Sequence, residues 1–422
     1  MSDASRRELL AIGLALPLAV AGRAHAAEVA DAGGGLLQAI RRSSYPMRMA
    51  GGVFGGSGWS FIEQAAKGSD FVLLGEEHGV AEIPTFAGQL FDSLAARGDA
   101  RLFIEVSDPA ARMMDLALAD GGVGRLARWI DGDAFGVAFY GWRQEAEFLA
   151  RVRANAPRDR RVVYGTDYEP FATRRILEEL ERLAEHTPQA AMIAAVLDDA
   201  LRRRADAAAS RDVGRLLGFG GDPGPVDSIV RAWPSAPPAA KLLLETLRTT
   251  MEINRLFVGG QRWRSNQMRA DFQRANFLRL YRGIRAERRS ARVMMKYGAN
   301  HLRRGLGDAR VFDLGTLVPE LAAAEGRRCL QVAVLAGRGS VHSVVDPASF
   351  RSMPQPATGA TDYALDAFAE VAGDTATVFD LVSLRPVVNG AGGAGLDGRT
   401  SAVINGYDAL VLLPHATAAG SL

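Results

Sequence analysis

Residues 71–78 read Phe71-Val72-Leu73-Leu74-Gly75-Glu76-Glu77-His78. Four apolar residues in a row, closed by glycine, two carboxylates and an imidazole, predict a buried strand that stops at a polar tip. In an open α/β sheet the carboxyl ends of the strands line the crevice where ligands bind. Two acids and a histidine at such a tip suit proton transfer or metal chemistry. If the chain stays extended, Glu76 and His78 point the same way, because side chains alternate along a strand. Glu77 points the other way, where a structural ion pair or a cap is its ordinary use.

The same rhythm continues outward from this stretch. Phe86, Leu90, Phe91 and Leu94 have helical spacing over Ile83 to Ala96, and Gly98 closes that helix. Arg101 to Val106 is a second strand with Glu105 near its end. Asp108-Pro109 starts a helix that Asp120-Gly121-Gly122 breaks. Trp142 to Ala154 is another helix, and Arg161 to Gly165 a third strand ending in Thr166-Asp167, with Glu169 just beyond. Repeated βα units of this kind predict an α/β fold: a mostly parallel sheet flanked by helices, with right-handed crossovers. From about 171 to 285 the pattern turns helical, with breaks near 218–225 and 234–238, and reads as a large helical insertion. Sheet rhythm resumes at Arg292 to Tyr297, which leads into Gly298-Ala299-Asn300-His301, and continues at 330–335, 378–384 and 409–413. Residues 337–359 read as a long loop.

Composition narrows the field. The 422 residues are 48% hydrophobic and 23% charged, ordinary for a globular protein with a sizeable core. A net charge of +2 argues against nucleic acid as the main partner. The expected partner is a small-molecule substrate. The single cysteine, Cys329, opens an apolar run and reads as a buried, inert thiol. Arg6-Arg7 ahead of an apolar stretch to about Ala21, then Ala24-His25-Ala26, has the form of a twin-arginine export signal cleaved after residue 26. The stretch is too short for a comfortable membrane span, so no stable span is expected after cleavage. A leader and N-terminal segment (27–67) and an α/β domain (68–422) complete the expected layout, in the periplasm or outside the cell.

In a parallel sheet all four polar tips fall on one edge. They offer Glu76 and His78, Glu105, Asp167 with Glu169, and His301 to a single crevice. Glu105, inside an apolar strand, needs a buried partner, and His78 is the candidate. Asp167 and Glu169, ahead of Pro170, also suit a turn into a helix. Arg264, on a helix with Met268 and Asp271, is a candidate for lining the crevice from the insertion. His186, His342 and His415 lie away from the tips and read as surface or structural.

Taken in order, Gly75-Glu76-Glu77-His78-Gly79, Ile104-Glu105, Arg264 with Met268, and Gly298-Ala299-Asn300-His301 resemble the erythromycin esterase family. That family belongs to a wider superfamily with haem-binding iron-regulated lipoproteins and TraB/TIKI-type proteases. The resemblance spans roughly residues 68 to 415 by motif order. It implies an active site of Glu76, His78, Glu105 and His301. One residue, not two, separates the first glutamate from the histidine, which is nearer the haem-binding and protease relatives. The arginine common after the esterase histidine is missing from Gly79-Val80-Ala81-Glu82.

The expected activity is hydrolysis of an ester or related acyl bond. A neutral His78, oriented by Glu105 or Glu76, takes a proton from water, and His301 stabilises the oxyanion or protonates the leaving group. Arg264, Asp167 and Glu169 are the expected substrate-binding residues. No metal or other cofactor is expected. The alternatives are a divalent metal held by the same residues in a TraB/TIKI-type hydrolase or protease, or a non-enzymatic haem- or ligand-binding protein.

Overall fold

A computed structural model describes residues 35–130, 136–346, 351–390, 393 and 395–422. The export signal expected over residues 1–26 lies outside the described residues. No described helix is long and apolar enough to cross a membrane.

The described residues form twelve strands: β1 (Ser44–Pro46), β2 (Arg48–Ala50), β3 (Val53–Gly55), β4 (Phe71–Glu76), β5 (Ala100–Ile104), β6 (Val163–Gly165), β7 (Arg292–Gly298), β8 (Cys329–Ala336), β9 (Val341–Asp346), β10 (Arg351–Pro356), β11 (Thr377–Asp380) and β12 (Ala409–Leu413). Eight of them form one sheet in the order β1-β11-β12-β8-β4-β7-β5-β6. From β12 to β6 every pairing is parallel, while β11 runs antiparallel to both of its neighbours. The protein is therefore an α/β fold with a mostly parallel sheet flanked by helices.

Alternation along the strands builds two core layers. Val72, Leu74, Leu102, Ile104 and Met294 pack on one face, whereas Phe71, Leu73, Phe103, Val293, Met295 and Tyr297 pack on the other. Both faces are covered by helices, which is why these strands read as continuous apolar runs. β7 lies between β4 and β5 although it follows them by almost 200 residues. The intervening chain includes the helices Thr173–Leu183, Ala190–Ser210, Pro238–Val258 and Arg262–Glu287. Glu76 sits in register with Gly298, and Ile104 with Lys296, so the ends of β4, β5 and β7 come level at one edge.

Several elements differ from the sequence reading. The helix that begins at Asp108 does break at Gly121-Gly122, where both glycines leave helical φ/ψ and Gly122 takes φ 60°, but a second helical stretch not read from the sequence follows to Ile130. Within the leader and N-terminal segment (27–67), β1 pairs with β11 and the helix Ser57–Lys67 packs into the main core. Residues read as a long loop hold the β9–β10 hairpin, in register from Arg351↔Asp346 to Pro356↔Val341. Two prolines, Pro354 and Pro356, hid β10, and both fit because a two-stranded ribbon leaves each strand an open edge. The run read as a strand to Leu384 stops at Asp380, whose carboxylate accepts the Val382 N–H at 3.0 Å and starts a turn.

Candidate active site

The tips of β4, β5 and β7 deliver their polar groups to one place. Glu76 ends β4, and its carboxylate meets His78 Nδ1 at 2.9 Å. On the other side of the ring, His78 Nε2 faces Glu105 at 3.4 Å. The second oxygen of Glu105 faces His301 Nε2 at 3.3 Å, and His301 Nδ1 meets Asp313 at 2.6 Å. Carboxylate and imidazole thus alternate through Glu76, His78, Glu105, His301 and Asp313. Three carboxylates of the chain are buried, while the histidine side chains keep 24% and 18% of their surface exposed. The imidazoles are therefore the part of the cluster open to a cavity of about 690 Å³.

Each member is held from behind. The Gly298 N–H donates to Glu105 at 2.7 Å, and Arg269 donates to its other oxygen at 2.8 Å. Arg269 also binds Asp167, with Nε 3.0 Å from the carboxylate. Glu76 accepts from Lys296 Nζ at 2.7 Å, and the same ammonium reaches Glu145 at 2.7 and 2.9 Å. Lys296 is wholly buried between the rings of Tyr140 and Phe148. Asp313 accepts the Leu314 N–H at 2.7 Å and so caps the helix that His301 touches. Phe139 stacks on His78 with centroids 3.7 Å apart and planes 9° apart. It does so at φ 60°, a left-handed conformation costly for an aromatic residue and held only where the surroundings enforce it. The stacked ring restricts the plane of the His78 imidazole.

Electrostatics follow from these contacts. Burial works against the charged form of His78, but hydrogen bonds and charge from Glu105 and Glu76 outweigh it and raise its pKa to about 9. His301 is likewise penalised by burial, yet Glu105 and Asp313 outweigh both that and the repulsion of Arg269, and raise it to about 10. Both rings are therefore protonated at neutral pH, in contrast to the neutral His78 expected from sequence. Burial disfavours ionised Glu105 and Glu76, but His301 and His78 hold the first well below the usual range, and Lys296 and His78 lower the second. Glu145 is the exception: burial and the nearby Glu76 charge raise its pKa to about 7 despite Lys296.

The sequence-predicted residues divide clearly. Glu76, His78, Glu105 and His301 are brought together, and Asp167 joins them through Arg269. Glu169 is buried elsewhere. It accepts from Ser107, Phe171 and Ala172, tying the end of β5 to the next helix. Arg264 does not reach the cluster: it is exposed and bonds Gln261 at 2.7 Å. The arginine that arrives is Arg269, five residues along the same helix. Glu77 points away, as alternation requires, and accepts the N–H groups of Ala336, Thr358 and Gly359. His342, read as surface or structural, lines the cavity from β9 with Nδ1 3.2 Å from the His78 carbonyl. Lys296, Glu145, Asp313 and Phe139 were missed.

The donor set does not fit a metal ion. Among the described residues no group of three or more His, Cys, Asp or Glu side chains is arranged to hold one. Lys296 and Arg269 already place positive charge on the carboxylate oxygens a cation would need. Both nitrogens of each imidazole face carboxylates, so ligation of haem iron would require the cluster to open.

No protein-family model and no curated protein matches the chain. Solved structures do. A Bacillus cereus protein superposes with a TM-score of 0.56 at 12% identity, covering 92% of this chain and 99% of that one. The erythromycin esterase EreC, as a histidine-to-asparagine mutant in its open conformation, gives 0.54 at 15% identity over 86% and 94%. A succinoglycan biosynthesis protein gives 0.55 at 10% identity over 92% and 98%. The chain thus shares its α/β fold, nearly end to end, with an esterase and with proteins described in other terms. At these identities what is shared is the fold.

Proposed function

We propose that this protein is an exported hydrolase that cleaves an ester or related acyl bond with water activated at His78. The observation that carries the reading is the alternating chain of carboxylates and imidazoles at the floor of an open cavity. The Nδ1 contacts are tight, at 2.9 and 2.6 Å, while both Nε2 contacts to Glu105 are long, at 3.4 and 3.3 Å. Nε2 is the more loosely held nitrogen of each ring, and it meets water or substrate by giving up its long contact to Glu105.

His78 takes the base role, because Glu76 fixes its Nδ1 and stabilises the imidazolium that forms, and His301, held charged by Glu105 and Asp313, takes the acid role. Neutral His78 takes a proton from water at Nε2 as the water oxygen bonds to the carbonyl carbon. Glu76 stabilises the resulting imidazolium through Nδ1. His301 donates to the oxyanion, the C–O bond to the alcohol breaks, and the proton held by His78 passes to the leaving alkoxide. Arg269 and Lys296 keep Glu105 and Glu76 ionised throughout. The arginine pair and small-residue site near the N-terminus support export to the periplasm.

The test is hydrolysis of 4-nitrophenyl esters by the wild-type chain and His78→Asn, with and without chelator. Loss of about 10²–10⁴-fold in kcat for the variant is expected, with activity unaffected by chelator. An unchanged rate in a folded variant rejects the base assignment, and loss of activity on chelation rejects the metal-free route.

A further inference from the structure

The walls of the cavity differ in kind, and the difference bears on what it accepts. One wall is aromatic: Phe139, Phe171 and Phe219, the last two with ring centroids 6.0 Å apart, together with Trp142. Another is acidic. Glu77 stands 3.6 Å from His342 with its oxygens occupied by backbone N–H groups, and Asp362 is exposed at the rim. Among the described residues lining the cavity there is no lysine or arginine. Lys296 and Arg269 lie behind the cluster, each committed to two carboxylates. In that cluster four cationic groups, counting both imidazoles, face the carboxylates of Glu76, Glu105, Asp167 and Asp313 and the carboxyl of Glu145, which burial raises to about 7. Glu77 and Asp362 then add negative charge that these cations do not offset. The two imidazoles lie at the floor, where the ester carbonyl docks; an anionic group at the Glu77–Asp362 end loses its hydration and finds no Lys or Arg among the described residues of that wall to replace it.

From this, the geometry points to a substrate class: esters of neutral or cationic amphiphiles, with the apolar part against the aromatic wall and a hydroxyl- or ammonium-bearing end toward Glu77 and Asp362. A carboxylate or phosphate at the end that meets Glu77 and Asp362 is disfavoured. The inference rests on the hydrolase reading for its reaction, which is the water attack already described, and on the cavity alone for its selectivity.

The experiment compares three 4-nitrophenyl esters of equal acyl length: a hexanoate, an adipate with a free terminal carboxylate, and a 6-(trimethylammonio)hexanoate. The hexanoate and the cationic ester should exceed the adipate in kcat/KM by about ten-fold or more. Asp362→Asn should narrow the gap between the cationic and anionic esters several-fold. An adipate that matches or beats the other two overturns the substrate class while leaving the hydrolase intact. If none of the three is cleaved, the hydrolase reading fails and selectivity is decided by binding. Hexyltrimethylammonium, hexanol and hexanoate are titrated by tryptophan fluorescence, with Trp142→Phe as the control for signal from the cavity. Tighter binding of the cation and the alcohol sustains the class, and hexanoate bound equally well or better overturns it.

Discussion

Replacing Gly298 with alanine tests the site with one methyl group. Gly298 has φ −52° and ψ 139°, a conformation open to any residue, so alanine adds no backbone strain. Its Cβ would stand 2.9 Å from His78 Nε2 and 3.4 Å from Glu105. Relief to the ordinary 3.4 Å requires a shift of about 0.5 Å. The backbone N–H of residue 298 continues to hold Glu105, and Phe139 blocks the face of the His78 ring. The strain therefore falls on the position of Nε2. Misplacement of a reacting group by about 1 Å costs on the order of 10²-fold, so half of that predicts a loss of roughly ten-fold or somewhat more in kcat/KM. Stability should stay level or fall by about 1–2 kcal/mol, because the strain of the methyl contact opposes the stabilisation of about 0.4–1 kcal/mol that Gly→Ala contributes through the unfolded chain. The assay pairs ester hydrolysis with thermal melting of both proteins. Full activity in Gly298→Ala with an unchanged melting temperature would show that Nε2 of His78 is not where the chemistry occurs.

Other consequences concern charge and packing. His78 and His301 have raised pKa values in the folded state, about 9 and about 10 against an unperturbed 6.5. Their contribution to stability is complete below about pH 6.5 and is lost as pH rises through 9 to 10; the melting temperature should fall across that range, and less steeply in His78→Gln. Over the same range kcat/KM should climb toward pH 9 as His78 becomes neutral, whereas a maximum below pH 7 would contradict the base assignment. Arg269→Met leaves Asp167 and Glu105 buried without their cation and should cost about 3–5 kcal/mol in denaturant unfolding, whereas exposed Arg264→Ala should stay within about 0.5 kcal/mol with activity unchanged. Gly79 has φ 80° and lies against the Ser343 backbone of β9, so Gly79→Ala should destabilise by about 2 kcal/mol or more and loosen the hairpin, read as faster hydrogen exchange over β9 and β10.

Whether a site residue is legible in sequence depends on where its contrast lies. Glu76, His78, Glu105 and His301 stand at the ends of apolar runs, and the rule that parallel strands finish at one edge places them together. Lys296 makes the same contrast between Met294-Met295 and Tyr297, and the argument that a buried charge needs partners applies to it as it does to Glu105. Arg269 makes no such contrast. Its helix, Arg262–Glu287, carries arginine at several positions, and Arg264 differs from Arg269 only in what lies opposite. Asp313 reads locally as a helix cap, and it does cap a helix; its second bond, to His301, depends on tertiary approach. Phe139 follows residues 131–135, which are not described, and nothing in its neighbours foretells a left-handed aromatic against an imidazole.

The buried network also bears on why these residues are present at all. Ion pairs removed from water lose hydration that their mutual attraction only partly returns, and apolar residues of similar volume often serve stability better. Lys296, with two carboxylates and no exposed surface, is therefore a poor means of holding β7 against its covering helix. Its effect is electrostatic: it keeps Glu76 ionised beneath His78, while burial leaves Glu145 to titrate near neutrality. Arg269 sits against Glu105 from the opposite side, sharing its single charge between Glu105 and Asp167, and adds to the hold that His301 and His78 have on that carboxylate. The two cations thus maintain two anions that hold both imidazoles in their charged form, at the one place where those rings meet open space. A stabilising network would be closed on all sides. Here the Nδ1 contacts are tight and the Nε2 contacts to Glu105 are long, on rings that keep part of their surface open to the cavity, which is the asymmetry that proton transfer to a bound molecule needs.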